Sequence, residues 1–277
     1  MIPVIHVPAV EVGPVTIHPF GVTAALAVIV GSALADYRAR VVGVDREKLR
    51  SFTTWILGFG FVGGHVLDKL AYSPERAIAE PLRLFAIWES QGSFGGFVGA
   101  IVGALLFRHF RREKILPLAD VIMSVFPIAW IFGRTGCAMA HDHPGIRAEP
   151  GSLFAVEYGP YDVDAVGRLP FGIELRHGDA PRYDLGTLEL LFTIVVAAFV
   201  VAAWRRPRPV GFYVVSVPLV YAPVRWLMDF LRAHEGAGSD ARYAGLTPAQ
   251  WCCMLLFTAC VAVVVRRFGA HRRTVAC

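Results

Sequence analysis

Charge is scarce in this chain. Only 18% of its 277 residues are Asp, Glu, Lys or Arg, where a soluble domain carries about 25%. A mean hydropathy of +0.53 excludes a disordered chain and argues against a soluble globular enzyme. Cysteine is sparse too: five residues, none in a CxxC pair. Cys252, Cys253 and Cys260 fall inside one apolar run, with Cys137 and Cys277 elsewhere. That pattern argues against a disulfide framework or a zinc site and reads as small buried hydrophobes. No Lys or Arg precedes the first apolar run, so the n-region of a cleavable signal peptide is missing and that run is expected to stay as a membrane helix. No fixed-period repeat and no second domain are visible. Residues 1–277 read as a single polytopic membrane domain.

What is present is a series of long apolar runs separated by short charged clusters, the pattern of a polytopic membrane protein. A spanning helix needs about 20 mainly apolar residues. Seven segments qualify: 17–35, 52–72, 93–108, 117–139, 185–204, 210–231 and 247–266. Alternate connecting segments carry sixteen Lys and Arg, against eight spread over the longer segments of the other side. The positive-inside rule then puts the N-terminus outside and the C-terminus in the cytoplasm. The net charge of +5 fits basic cytoplasmic loops, and no nucleic-acid partner is expected. Residues 141–184, rich in Gly, Pro, Asp and aromatics such as Tyr158, Tyr161 and Phe171, read as a small extracytoplasmic strand-and-loop cap. The expected fold is therefore an all-α integral membrane protein of seven transmembrane helices with that cap.

Ionisable residues inside membrane helices are costly and mark functional candidates. Counted from the cytoplasmic helix ends, Arg134 lies about 25 Å in, Arg225 about 22 Å, His65 about 20 Å and Asp68 about 24 Å. All fall in the outer half of the membrane, and one cavity open to the outer leaflet accounts for them together. Arg225, Asp229 and Arg232 are spaced i, i+4, i+7 and share one face of a continuous helix. They read either as a snorkelling structural cluster or as a cationic pocket for a phosphate, which the fork of an arginine fits. The Gly133–Gly136 stretch Gly-Arg-Thr-Gly closes the fourth segment and is followed by His141-Asp142-His143-Pro144-Gly145. Its glycines permit close helix approach. His65 is either a hydrogen-bonded core histidine or a functional base. His141 and His143 are either loop residues before a Pro-Gly turn, metal ligands or a general base, and the spacing matches no standard zinc site. Gly95 and Gly96 open the third segment, for tight packing or for a ligand.

These residues resemble the prolipoprotein diacylglyceryl transferase family. Ala119-Asp120-Val121-Ile122 with Gly133-Arg134-Thr135-Gly136 resembles its signature helix. The stretch Tyr221 to Arg232 is similar to its Tyr-Gly-x-x-Arg-x-x-x-Glu-Phe-x-Arg, and Leu246 to Trp251 to the start of its last helix. Pro19-Phe20-Gly21 stands where the family opens its first helix, and Gly95-Gly96 where it has His-Gly-Gly. There are departures. Phe94 replaces the usual histidine, Cys137 the usual asparagine and Phe20 the usual tyrosine. Asp142 matches an acidic position, with Gly145 in place. Before the fifth helix the family's string is rewritten, and only Glu189 is kept.

The resemblance implies transfer of a diacylglyceryl group from phosphatidylglycerol to the lipobox cysteine of a prolipoprotein signal-peptide region, at a bacterial inner membrane, with no metal or organic cofactor required. Arg134 and Arg225 are then expected to hold the phosphate, with Asp229 positioning Arg225. Gly95, Gly96, Asp142, Asp229, Arg232 and Glu189 are expected to bind substrate, and His65 or His141 to replace the missing histidine as base. Two alternatives stay open: a paralogous lipid-headgroup transferase with a different acceptor, and a non-catalytic lipid-binding membrane protein.

Overall fold

The computed structural model describes residues 2–13, 15–86, 91–149, 151–161, 167–176, 178–234 and 239–275. Cys277, residues 162–166 of the expected cap, and the side chains of Tyr161 and Phe171 lie outside the described residues. Eight α-helices are described: α1 Pro19–Val42, α2 Arg46–Tyr72, α3 Pro74–Ala79, α4 Ser93–Arg111, α5 Ile115–Ala140, α6 Leu185–Ala203, α7 Phe212–Met228 and α8 Pro248–Val275. Each of the seven apolar segments falls largely within one of them; α3 is an extra short helix after α2. Among the described residues, six helices are long and apolar enough to cross a membrane: α1, α4, α5, α6, residues Phe212–Leu231, and Pro248–Arg267 of α8. The chain is accordingly a multi-pass membrane protein, mostly helical. With 27 residues, α2 would extend about 40 Å, but His65, Asp68 and Lys69 in its second half lower its hydropathy and it is not one of the six.

The chain divides into two compact units. The second comprises Ser32–Val125, Ala203–Trp226 and Ala241–Cys277. Its core is Ala35, Ala39, Leu49, Phe52, Phe107, Leu118, Val121 and Val125. Glycine sets how closely α2 and α4 pack: a Cβ on Gly63 would lie 2.7 Å from both the Gly95 carbonyl oxygen and the Gly99 Cα, well inside van der Waals contact. Side chains fix the helix ends. The Asp45 carboxylate accepts from the Glu47 and Lys48 amides at 2.9 and 3.1 Å, capping α2. Asp120 of α5 accepts from the Tyr213 and Val214 amides at 2.8 and 3.0 Å and so satisfies the first turn of α7. Thr247 and Gln250 form a reciprocal capping box at α8, with the Thr247 amide donating to Gln250 Oε1 at 2.9 Å and the Gln250 amide to Thr247 Oγ1 at 3.2 Å. Pro248 occupies the first helical position, where its missing N–H costs nothing.

The first unit comprises Met1–Gly31, Phe126–Ala202 and Leu227–Asp240. It contains all the described strands: β1 Val4–His6, β2 Val10–Val12, β3 Val15–Ile17, β4 Pro144–Arg147, β5 Ala155–Tyr161, β6 Gly167–Arg168, β7 Glu174–Arg176 and β8 Gly178–Asp184. They form sheets β1-β7-β6 and β4-β8-β5 and the hairpin β2-β3, with antiparallel pairing throughout. The strands near the N-terminus were not anticipated. Their runs of three residues are too short to show alternation.

The close α2–α4 approach makes a direct prediction. Gly99→Val should overpack it and cost about 1–3 kcal/mol, read as a lower thermal midpoint in detergent. An unchanged midpoint would show that the two helices are free to move apart.

Candidate functional site

The first unit buries an ion pair. Arg134, near the end of α5, is 3% exposed. Its Nη2 donates to Glu189 Oε1 of α6 at 2.7 Å, with the Glu189 side chain equally enclosed. Nη1 lies 3.6 Å from Cys137 Sγ, and the guanidinium covers the Trp130 ring at 4.7 Å. Isolated, either charge would be prohibitive at this burial. Paired, they make a fixed cation in apolar surroundings. Glu189, which was expected to bind substrate, is the ion-pair partner of Arg134.

The end of α5 organises the next group. His141 adopts the left-handed conformation, φ 48°, which costs a non-glycine residue of the order of 1–3 kcal/mol and reverses the chain just past the helix. Its amide donates back to the Cys137 carbonyl at 3.0 Å, as a left-handed C-terminal cap does. His141 Nε2 accepts from the Ile5 amide at 3.2 Å, so Nδ1 carries the proton in the neutral ring and donates to Asp184 Oδ2 at 2.5 Å. Asp184 is fully buried. It also accepts from Tyr158 Oη at 2.9 Å and from the Thr187 amide at 2.8 Å, the latter capping α6. This Tyr158–Asp184–His141 network was missed because its members come from three distant segments. The next residues, Asp142 and His143, are hydrogen-bonded to each other. Ligand atoms of Cys137, Asp142 and His143 lie within 4.8 Å of one another.

Arg232 and Asp229 also belong to this unit. α7 ends at Met228 and the chain continues as a 3-10 turn, Asp229–Leu231. Three residues per turn bring i and i+3 together. Arg232 Nε accordingly donates to Asp229 Oδ1 at 3.2 Å, and it lies 3.1 Å from Asp240 Oδ2. Gly145 bridges to Arg232. A Cβ there would lie 2.6 Å from the carbonyl oxygens of Tyr183 and Leu231, so the backbones meet where only glycine fits.

In the second unit, His65 is fully buried and its Nε2 lies 2.9 Å from the Arg83 carbonyl oxygen. A carbonyl only accepts, so Nε2 carries the proton. Gly95 is buried against α2, whereas Gly96 is less confined, with the nearest atom 3.7 Å from its would-be Cβ. Arg225 is half-buried on α7.

The fold and these buried ionic groups define a class: a multi-pass membrane protein with a fixed cation enclosed at one helix end. The comparisons make it specific. The family described as prolipoprotein diacylglyceryl transferase matches residues 8–266; the chain belongs to that family. It is similar to the phosphatidylglycerol--prolipoprotein diacylglyceryl transferase of Methylibium petroleiphilum, at 28% identity over 93% of this chain and 94% of that protein. It is also similar to the enzyme of that name from Escherichia fergusonii, at 26% identity over 95% and 92%.

The ion pair yields a prediction that separates stability from activity. Glu189→Ala should cost about 3–5 kcal/mol by leaving Arg134 buried and unbalanced. Replacing both partners, Arg134→Met with Glu189→Leu, should recover most of that loss in thermal unfolding while abolishing activity.

Proposed function

We propose that this chain transfers the diacylglyceryl group of phosphatidylglycerol to the cysteine thiol of a prolipoprotein. The products are a thioether and glycerol phosphate. The family match supports the reading, and the observation that carries it is the enclosed Arg134, held against Glu189 at 2.7 Å. The lipid's phosphodiester gains negative charge as its C–O bond breaks, and a fixed cation in a low-dielectric setting stabilises that charge most.

Arg134 is the principal phosphate ligand in this reading. Arg225 is a second cation for the anionic lipid, and Arg232 with Asp229, Asp142, Glu189, Gly95 and Gly96 shape substrate binding. The thiol, with an ordinary pKa of about 8.5, needs a base. His141 is favoured over His65 because Asp184 orients it and fixes its tautomer, as in other base–carboxylate pairs. Its Nε2 becomes the accepting atom once the Ile5 amide withdraws. Loss of the Ile5 contact on acceptor docking is part of the proposal.

The wider architecture we infer has α2 as a seventh spanning helix, the N-terminus outside and the C-terminus in the cytoplasm of a bacterial inner membrane. The cap, residues 141–184, then faces outward, where the acceptor emerges. The Lys and Arg asymmetry supports that orientation. A second reading, a family paralogue acting on another acceptor, is favoured by Phe94 and Cys137 standing where the family resemblance leads one to expect histidine and asparagine.

The test is turnover by the purified protein with phosphatidylglycerol and a lipobox peptide, read by peptide mass. Arg134→Ala should lower kcat by about 100–1000-fold, and His141→Ala by about 100-fold or more. Full activity in His141→Ala, with loss in His65→Ala, would transfer the base to His65. No mass gain with wild type, beside an active family member, would move the assignment to the paralogue.

A further inference from the structure

We propose that Arg38, Arg208 and the Tyr213 hydroxyl form a phosphate-binding site, occupied by the headgroup phosphate of an anionic phospholipid. The site lies in the second unit, where α1 ends and α7 begins. None of its residues is used in the transferase reading, and it goes beyond that reading. Asp120, which packs beside it, is in the second turn of α5, at the other end of that helix from Arg134.

Arg38 carries the argument. It is 8% exposed and stands four residues before the end of α1. Its guanidinium covers the Trp204 ring at 4.7 Å, and Trp204 is held in turn by Nε1 donating to the Ser124 carbonyl at 3.1 Å. A ring face attracts a cation but leaves the five N–H donors of a guanidinium in need of acceptors. Among the described residues Arg38 has no hydrogen bond and no carboxylate partner, and its Nε is sealed from solvent. Asp36 of α1 and Asp120 of α5 are already engaged. Asp36 takes Arg46 at 2.8 and 2.6 Å and Arg50 at 3.1 Å, and Asp120 caps α7. A buried cation without a counter-charge is costly, so the missing anion has to come from outside the chain.

A second unsatisfied donor lies with it. Tyr213, in the first turn of α7, is buried. Its hydroxyl is sealed without a partner, within electrostatic reach of Arg38 and Arg208. Asp120 is also in reach of that hydroxyl, but the α7 amides and Arg267 offset its charge. Arg208 is exposed. Its guanidinium covers the Phe212 ring at 4.8 Å, and that ring meets Tyr213 edge-on at 5.0 Å. Pro207 and Pro209 flank Arg208 and stiffen the chain that presents it.

One buried cation, one exposed cation and a hydroxyl suit a phosphate. The guanidinium fork matches two of its oxygens, and the hydroxyl donates to a third. The surroundings favour a lipid over a soluble phosphate. Tyr37, Val41 and Val42 on the same end of α1 are exposed, a surface on which acyl chains can lie, and tryptophan is enriched at membrane interfaces. On the orientation inferred above, the site faces the cytoplasmic leaflet, whose anionic lipids attract Lys and Arg.

The test is native mass spectrometry of the full-length protein in neutral detergent with added phosphatidylglycerol. Arg38→Gln should hold one lipid fewer than wild type. The same difference should appear in an Arg134→Ala background, which separates this lipid from the one in the transferase reading. Tyr213→Phe guards against misfolding. It removes an unsatisfied hydroxyl, so its thermal midpoint without lipid should be no lower than that of wild type. Its lipid affinity should still fall by about 10-fold or more, the loss of one hydrogen bond to a charged group. Inorganic phosphate distinguishes the source. A thermal midpoint raised by phosphatidylglycerol and not by inorganic phosphate supports the lipid. A rise with inorganic phosphate alone, abolished by Arg38→Gln, would keep the site and overturn its lipid occupant. Equal lipid counts in all three proteins, with no response to inorganic phosphate, would overturn the site. So would a midpoint lowered by Tyr213→Phe without lipid, because the hydroxyl would then have its partner within the fold. An inactive wild type with the lipid difference intact defeats the transferase reading and leaves this site standing.

Discussion

The Arg134–Glu189 pair is the constraint that the candidate site depends on. A guanidinium 3% exposed in an apolar bundle is tolerable only because a carboxylate meets it at 2.7 Å, and neither residue can be removed without stranding the other. Such a pair adds little net stability over an apolar replacement. A positive charge that has already been desolvated and oriented needs no reorganisation when a phosphate begins to leave. The same pair joins the C-terminal part of α5 to α6, and Asp184, which caps α6, is hydrogen-bonded to His141.

The end of α5 thus couples two functions. The helix carries the buried Arg134, and the left-handed cap at His141 turns the chain just before the hydrogen-bonded Asp142–His143 pair. The strain at His141 is held by its own amide to Cys137 and by its ring to Asp184 and Ile5. The buried Arg134, the Asp184-bound His141 and the Asp142–His143 pair therefore fall within ten residues of each other.

Much of this was legible in the chain and some was not, for definite reasons. The helices were readable because their apolar runs are long enough to demand burial or lipid, and α2 was readable although its polar second half keeps it below the apolar threshold. The Thr247–Gln250 cap follows a local rule visible in sequence. Arg134 and Glu189 were each singled out, but their pairing was not, because pairing between α5 and α6 is a matter of packing. Asp120 was read as part of a motif, and the fold uses it to cap α7. The spacing from Arg225 to Arg232 was read on a continuous α-helix, and a 3-10 turn begins at Asp229. Cys137, Asp142 and His143 come close through one left-handed residue, His141, which composition does not announce.

Attack of a thiol on carbon, assisted by an enclosed cation, is the central claim, and the fate of one oxygen tests it most directly. Phosphatidylglycerol carrying heavy oxygen at the bridge between the glyceryl carbon and phosphorus would be turned over with a lipobox peptide, and both products weighed. The account predicts a peptide that gains an unlabelled diacylglyceryl group and a glycerol phosphate that carries the label. Label retained on a released diacylglycerol, or a peptide of unchanged mass, would contradict it.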